Sequence, residues 1–170
     1  MMWGITGTPG TGKSSVAREL ERRGFRVVHV HDTVEDYVVG KDPERNTRVV
    51  DVERWAKEIG HFDGIIEGHI THHLPCDRLV VLRCRPDTLE ARLASREYSE
   101  AKIRENMEAE ALDVILIETL ETHPPEHIYE IDTTSLSVEE TADRIEEFIR
   151  GRGAPSHGTV DWSGFLEMVT

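Results

Sequence analysis

Gly7-Thr8-Pro9-Gly10-Thr11-Gly12-Lys13-Ser14 fits the pattern G-x-x-x-x-G-K-[ST], and the residues on either side of it decide the fold. Before it, residues 2–6 form a short apolar run that reads as a buried strand. After it, Val16, Ala17 and Leu20 recur at helical spacing within residues 14–23. A strand, a glycine-rich turn and a helix in that order give the pattern its meaning. Glycines let the backbone wrap closely around anionic oxygens with several N–H groups pointing inward, and the helix adds its positive end. In such a loop Lys13 reaches the β- and γ-phosphates and the Ser14 hydroxyl ligates Mg2+. The competing dinucleotide pattern G-x-G-x-x-G would start at Gly10 and places Ser15 where its last glycine belongs, which argues against a redox cofactor.

Outward from the loop, apolar periodicity predicts further strands at 25–31, 64–67, 78–84 and 127–131. Helices are predicted from about residue 33 and at 51–59, 87–95, 100–121 and 138–149, with a polar loop at 41–47. Strands alternating with helices imply right-handed crossovers and an α/β fold, a five-stranded parallel sheet with helices on both faces. Ligands then bind outside the carboxyl ends of the strands. Residues 1–150 make the expected P-loop domain, and Gly151-Arg152-Gly153-Ala154-Pro155 has the composition of a linker to a tail at 151–170. That tail carries Val160, Trp162, Phe165, Leu166 and Val169, too apolar for a solvated end, so it is expected to dock, first of all on its own domain.

A chain of 170 residues with 38% hydrophobic content fits one domain with a sizeable core. Its formal charge of −13 disfavours direct docking on nucleic acid or anionic lipid. The basic residues are sixteen Arg and four Lys, a balance that suits either a salty cytoplasm or a basic protein partner. Cys76 and Cys84 fit no metal or redox spacing and read as ordinary buried thiols. No export leader is visible and no stretch approaches the ~18 apolar residues of a membrane span, so a cytoplasmic location is expected.

Three more positions carry candidate chemistry. Ile65-Ile66-Glu67 ends a strand in the acid that a P-loop uses to hold Mg2+ directly or through water. His69, two residues on, is placed to orient a water or a phosphate oxygen. His72 and His73 beside it read as exposed loop residues rather than metal ligands. Arg92 and Arg96 share a helix face at i, i+4 and are candidate cations for the migrating phosphoryl group; a carboxylate pair between Arg96 and Glu100 is the plainer alternative. Only Glu97-Tyr98-Ser99-Glu100 separates them from the next helix, so any lid is short and excludes water poorly, and some hydrolysis of ATP without acceptor follows.

Together, the P-loop, Glu67-Gly68-His69 after a strand, Asp42-Pro43-Glu44-Arg45 leading to Val49-Val50-Asp51, and Arg96-Glu97-Tyr98-Ser99-Glu100 resemble the adenylate kinase isoenzyme-six family in an archaeal form, over about residues 1–150. The resemblance implies the nucleoside monophosphate kinase fold with a short lid. It further implies phosphoryl transfer between ATP and AMP, ATP hydrolysis, and a part in small ribosomal subunit maturation through a basic small-subunit ribosomal protein. It assigns ATP binding to Gly10, Thr11, Gly12, Lys13, Ser14 and Ser15, Mg2+ to Ser14 and Glu67, catalytic positioning to His69, and the lid cation to Arg96. Two departures stand out. Glu67 replaces the Asp common in the family, and Thr33-Val34-Glu35-Asp36 lacks the Arg that holds the AMP phosphate in some members, leaving Arg45 or Arg48 as substitutes. An ATPase assembly factor and a small-metabolite kinase remain as alternative readings.

Overall fold

The computed structural model describes residues 1–169. In chain order, β1 (Met2–Gly7) and α1 (Lys13–Arg22) flank the glycine-rich loop, followed by β2 (Val27–His29), β3 (Val38–Asp42), β4 (Thr47–Val50) and α2 (Val52–Ile59). Next come β5 (Gly64–Glu67), β6 (Arg78–Arg83), α3 (Pro86–Ala94), α4 (Glu100–Ala111), α5 (Val114–Thr122), β7 (Ile128–Asp132), α6 (Val138–Ile149) and α7 (Leu166–Val169). The main sheet is β2-β5-β1-β6-β7, parallel throughout, as the sequence predicts.

Strand periodicity explains how both faces are covered. Val80 and Leu82 of β6, with Ile5 and Ile65, face Val16 and Leu20 of α1 and Ala142, Ile145 and Phe148 of α6. Leu79 and Ile66, with Met2, face Trp55 of α2, while Val81 packs on Leu116 of α5. Cys76 and Cys84 are free, buried thiols held protonated by burial, with pKa values pushed up to about 12 and about 11.

Three expectations are corrected. No helix follows β2; two short 3₁₀ turns, Val30–Asp32 and Glu35–Tyr37, lead instead into β3. The polar segment at 41–47 lies at the tip of an antiparallel β3–β4 hairpin, and Asn46 turns the corner at φ 49°. The helix predicted at 100–121 is broken at Asp113, which adopts φ 58° while its carboxylate pairs with the buried Arg83.

Residues 151–169 fold back onto the rest of the chain. Glu130 N donates to Ser156 O at 2.8 Å and Ser156 N to Ile128 O at 3.1 Å, so the segment lies alongside β7. Val169 then packs with Trp162 and Leu166 against Met107 and Ala111 of α4.

Candidate functional site

The loop between β1 and α1 takes conformations that only glycine adopts readily. Gly10 has φ 93° and Gly12 φ 100°, and a Cβ at Gly10 would lie 2.8 Å from Leu89 Cδ1. Lys13 Nζ donates to the carbonyls of Gly7 (2.8 Å) and Thr8 (3.1 Å), and the Thr11 hydroxyl donates to Thr8 O at 2.8 Å. Burial of the Lys13 ammonium lowers its pKa to about 8, with Arg96 adding to the depression and Glu67 and Glu110 opposing it. A buried cation with no carboxylate in direct contact among the described residues is electrostatically ready for a polyphosphate.

Glu67 ends β5 directly opposite the start of α1. Its Oε1 accepts from Ser14 Oγ at 3.3 Å and from His29 Nδ1 at 2.7 Å. His29 was not foreseen; it reaches Glu67 because β2 pairs in parallel with β5 in the register His29 to Glu67. A hydroxyl and a carboxylate side by side are the hard oxygen donors that Mg2+ prefers, so these residues fit that ion.

His69 is exposed to a large cleft. Crowding by the cleft walls, followed by the charges of Lys13, His72 and Lys102, lowers its pKa to about 4. At neutral pH the ring is therefore uncharged and carries both a donor and an acceptor nitrogen. His72, expected in an exposed loop, is instead 1% exposed, with Nδ1 2.9 Å from Thr6 Oγ1 and Nε2 2.7 Å from Glu118 Oε2. It ties the strand before the loop to α5.

The two arginines of the α3 region separate in role. Arg92 turns inward: Nη1 donates to Gly10 O at 3.3 Å and Nη2 to Thr133 O at 3.2 Å, while the Thr133 hydroxyl donates to Thr11 O at 3.0 Å. Arg92 therefore braces the loop rather than facing a migrating group. Arg96 lies past the end of α3, makes no pair with Glu100, and lines two cavities at once. One, of 320 Å3, is bounded by Gly10, Thr11, Gly12, Ser15, Thr133 and Val138. The other, of 790 Å3, is bounded by Lys13, Ser14, Glu67, His69, Lys102 and the hairpin residues Arg45 and Arg48.

Behind the loop lies an ionic cluster that the sequence reading missed. Arg83, 2% exposed, donates to Glu110 at 2.8 Å and Glu130 at 2.7 Å and also pairs with Asp113. Glu110 in turn accepts from the Thr8 hydroxyl at 2.7 Å, and Gly158 N donates to Glu130 at 3.0 Å. A P-loop residue, β6, β7, α4 and the C-terminal segment thus share one set of charges. An Arg directly ending the apolar run Leu79-Val80-Val81-Leu82 was the available signal.

Comparison with known proteins identifies the family. The family model described as "AAA domain" matches residues 4–113. A relative from Archaeoglobus fulgidus named "Putative adenylate kinase" is 48% identical, with 98% of this chain and 94% of the relative covered. Relatives of the same name from Natronomonas pharaonis (95% of this chain, 98% of the relative) and Methanothermobacter thermautotrophicus (95% and 97%) are 44% and 40% identical. Among solved structures, the Bacillus subtilis YorR protein in complex with phosphorylated GDP superposes with TM-score 0.59 at 16% identity, covering 88% of this chain and 96% of its own, a likeness of fold. With its P-loop, parallel sheet and near full-length kinship, the chain belongs to the archaeal adenylate kinase family that these relatives represent and is a nucleotide kinase.

Proposed function

We propose that the protein transfers the γ-phosphoryl group of ATP to AMP, hydrolyses ATP when no acceptor is bound, and does both with Mg2+. The observation that carries this reading is Arg96 at the meeting of two cavities, one on each side of Lys13 and the glycine-rich loop. A donor nucleotide seated in the smaller cavity presents its terminal phosphate toward the larger one. Lys13 and the loop amides hold the β- and γ-oxygens, and Arg96, with no carboxylate partner among the described residues, follows charge onto the transferred group. Ser14 and Glu67 would hold Mg2+, which would supply charge neutralisation on those oxygens. On the acceptor side Arg48 pairs with Glu35, and Arg45 with Glu105 at 3.4 Å. Lys102, stacked 4.3 Å over the Tyr98 ring, has no carboxylate partner among the described residues and supplements them for a monophosphate. Neutral His69 orients the attacking hydroxyl or water.

The acidic surface, with a formal charge of −13, suits a basic small-subunit ribosomal protein, and on that ground we extend the proposal to such a partner in ribosome maturation. Production of ADP from ATP, measured with a panel of nucleoside monophosphates with and without a basic ribosomal protein, is the test. AMP is expected to raise ADP formation well above the rate with water alone. Stimulation by the protein but by no monophosphate would favour the ATPase assembly factor instead. His69→Ala is expected to lower hydrolysis more than ATP binding, and an unchanged hydrolysis rate would remove His69 from the mechanism.

The lowered pKa of Lys13, about 8, sets a pH dependence on binding. Below that value the free protein already holds the charged lysine that a polyphosphate needs. Above it a proton must be taken up on binding, so the Kd for ATP is expected to be flat to about pH 8 and to rise up to ~10-fold per unit beyond it. Calorimetric titrations between pH 6.5 and 9.5 read this directly, and a flat profile throughout would count against contact between Lys13 and phosphate.

A further inference from the structure

We propose that His29, His31 and Glu67 form a binding site for a first-row transition-metal dication of the zinc, cobalt or nickel class. One ligand atom from each of these three residues lies within 4.8 Å of the other two. His29 Nδ1 and Glu67 Oε1 are hydrogen-bonded at 2.7 Å, and an ion would replace the proton between them, at close to the ~3 Å edge of a coordination sphere with bonds of about 2.0–2.1 Å. The His29 and His31 rings are 5.5 Å apart and inclined by 34°, on the same short stretch of chain where β2 runs into its 3₁₀ turn.

The surroundings match those of metal-bound imidazoles, which turn their second nitrogen to a carboxylate. His31 Nε2 is 3.1 Å from Asp32 Oδ1, a contact of this kind, while Glu21 Oε2 lies 3.9 Å from His29 Nε2, beyond direct hydrogen-bond reach. Two imidazoles and one carboxylate select borderline, nitrogen-preferring ions over Mg2+, with water completing the sphere. The other histidine cluster, His72, His73 and Glu118, makes a like contact, His72 Nε2 to Glu118 Oε2 at 2.7 Å with Thr6 on Nδ1, but its central imidazole is buried, and the His73→Ala control below separates the two sites.

The site shares Glu67 with the proposed magnesium corner but does not depend on it, because the ion binds in the absence of nucleotide. Its ion engages Oε1, the same oxygen to which Ser14 donates, so occupancy opposes magnesium-nucleotide binding. This makes the His-x-His pair a point at which transition metals inhibit the enzyme.

Titration of the nucleotide-free protein with Co2+, followed by visible absorption, is the test. The expected result is a saturable band at one equivalent. His31→Ala should weaken binding about tenfold or more, and a combined His29→Ala/His31→Ala should abolish it. His31 is exposed, so the single variant keeps the fold, which a melting curve checks. His73→Ala should leave the titration unchanged. Absence of a band, or a titration that His31→Ala leaves as it was, would overturn the proposal. So would loss of binding in His73→Ala, which would move the ion to the other cluster.

Discussion

Lys13→Ala is expected to reduce ATP turnover about a thousandfold or more, with AMP or with water, since removing a single fixed donor to developing charge already costs about 10²–10³ in kcat. Lys13 lines the larger cavity, donates to the loop carbonyls of Gly7 and Thr8, and belongs to no ion pair among the described residues. The variant's melting temperature separates catalysis from folding. Because burial lowers the lysine pKa to about 8, the native state is penalised for holding the charge at any pH below that value, and the penalty fades as pH rises toward the unfolded value of 10.5. At pH 7 the alanine variant should therefore melt no lower than the parent while being inactive. A variant that melts much lower would mean that the ammonium braces the loop carbonyls more than it serves phosphate.

Arg83→Met is expected to show the opposite profile, a large loss of stability. It strands Glu110 and Glu130, 2% and 8% exposed, without their cation. Breaking a buried ion pair by removing one partner costs about 3–5 kcal/mol. In a chain of this length that lowers the melting temperature by about 10 °C or more. Adding Glu110→Gln and Glu130→Gln should recover much of the loss, because the penalty belongs to the unpaired charges rather than to the missing guanidinium. If the single variant melts with the parent, the cluster is open to water and the burial argument fails. The quantity to compare is the midpoint by calorimetry for parent, single and triple variants.

How much of this was legible in the sequence depends on the range over which each feature is determined. The strands around Leu79 to Leu82 and Ile65-Ile66 announce themselves because parallel strands buried on both faces must be apolar at every position. The P-loop was equally plain, since its glycines and lysine are contiguous. The β3–β4 hairpin was not, because Val39 is 68% and Val49 45% exposed and polar residues interrupt the alternation between them. The break at Asp113 escaped for a different reason: a buried Arg83, 30 residues earlier, captures the Asp113 carboxylate, and no local pattern encodes that. Among the candidate site residues, the position of Glu67 at a strand end was readable. His29 needed the strand order, which sets β2 beside β5. Arg92 was recognised as a cation but misplaced, since helical spacing gives a face and not the carbonyl of Gly10 that lies across from it.

Trp162 gives the protein a built-in optical reporter. Its indole N–H donates at 3.3 Å to Glu110 Oε1, while the other oxygen of that carboxylate takes the Thr8 hydroxyl. Any rearrangement of the loop that releases Thr8 redistributes charge next to the indole and shifts its emission. With Trp3 and Trp55 replaced by phenylalanine, the remaining fluorophore would sense nucleotide arriving on the far side of the carboxylate, without a label and in real time.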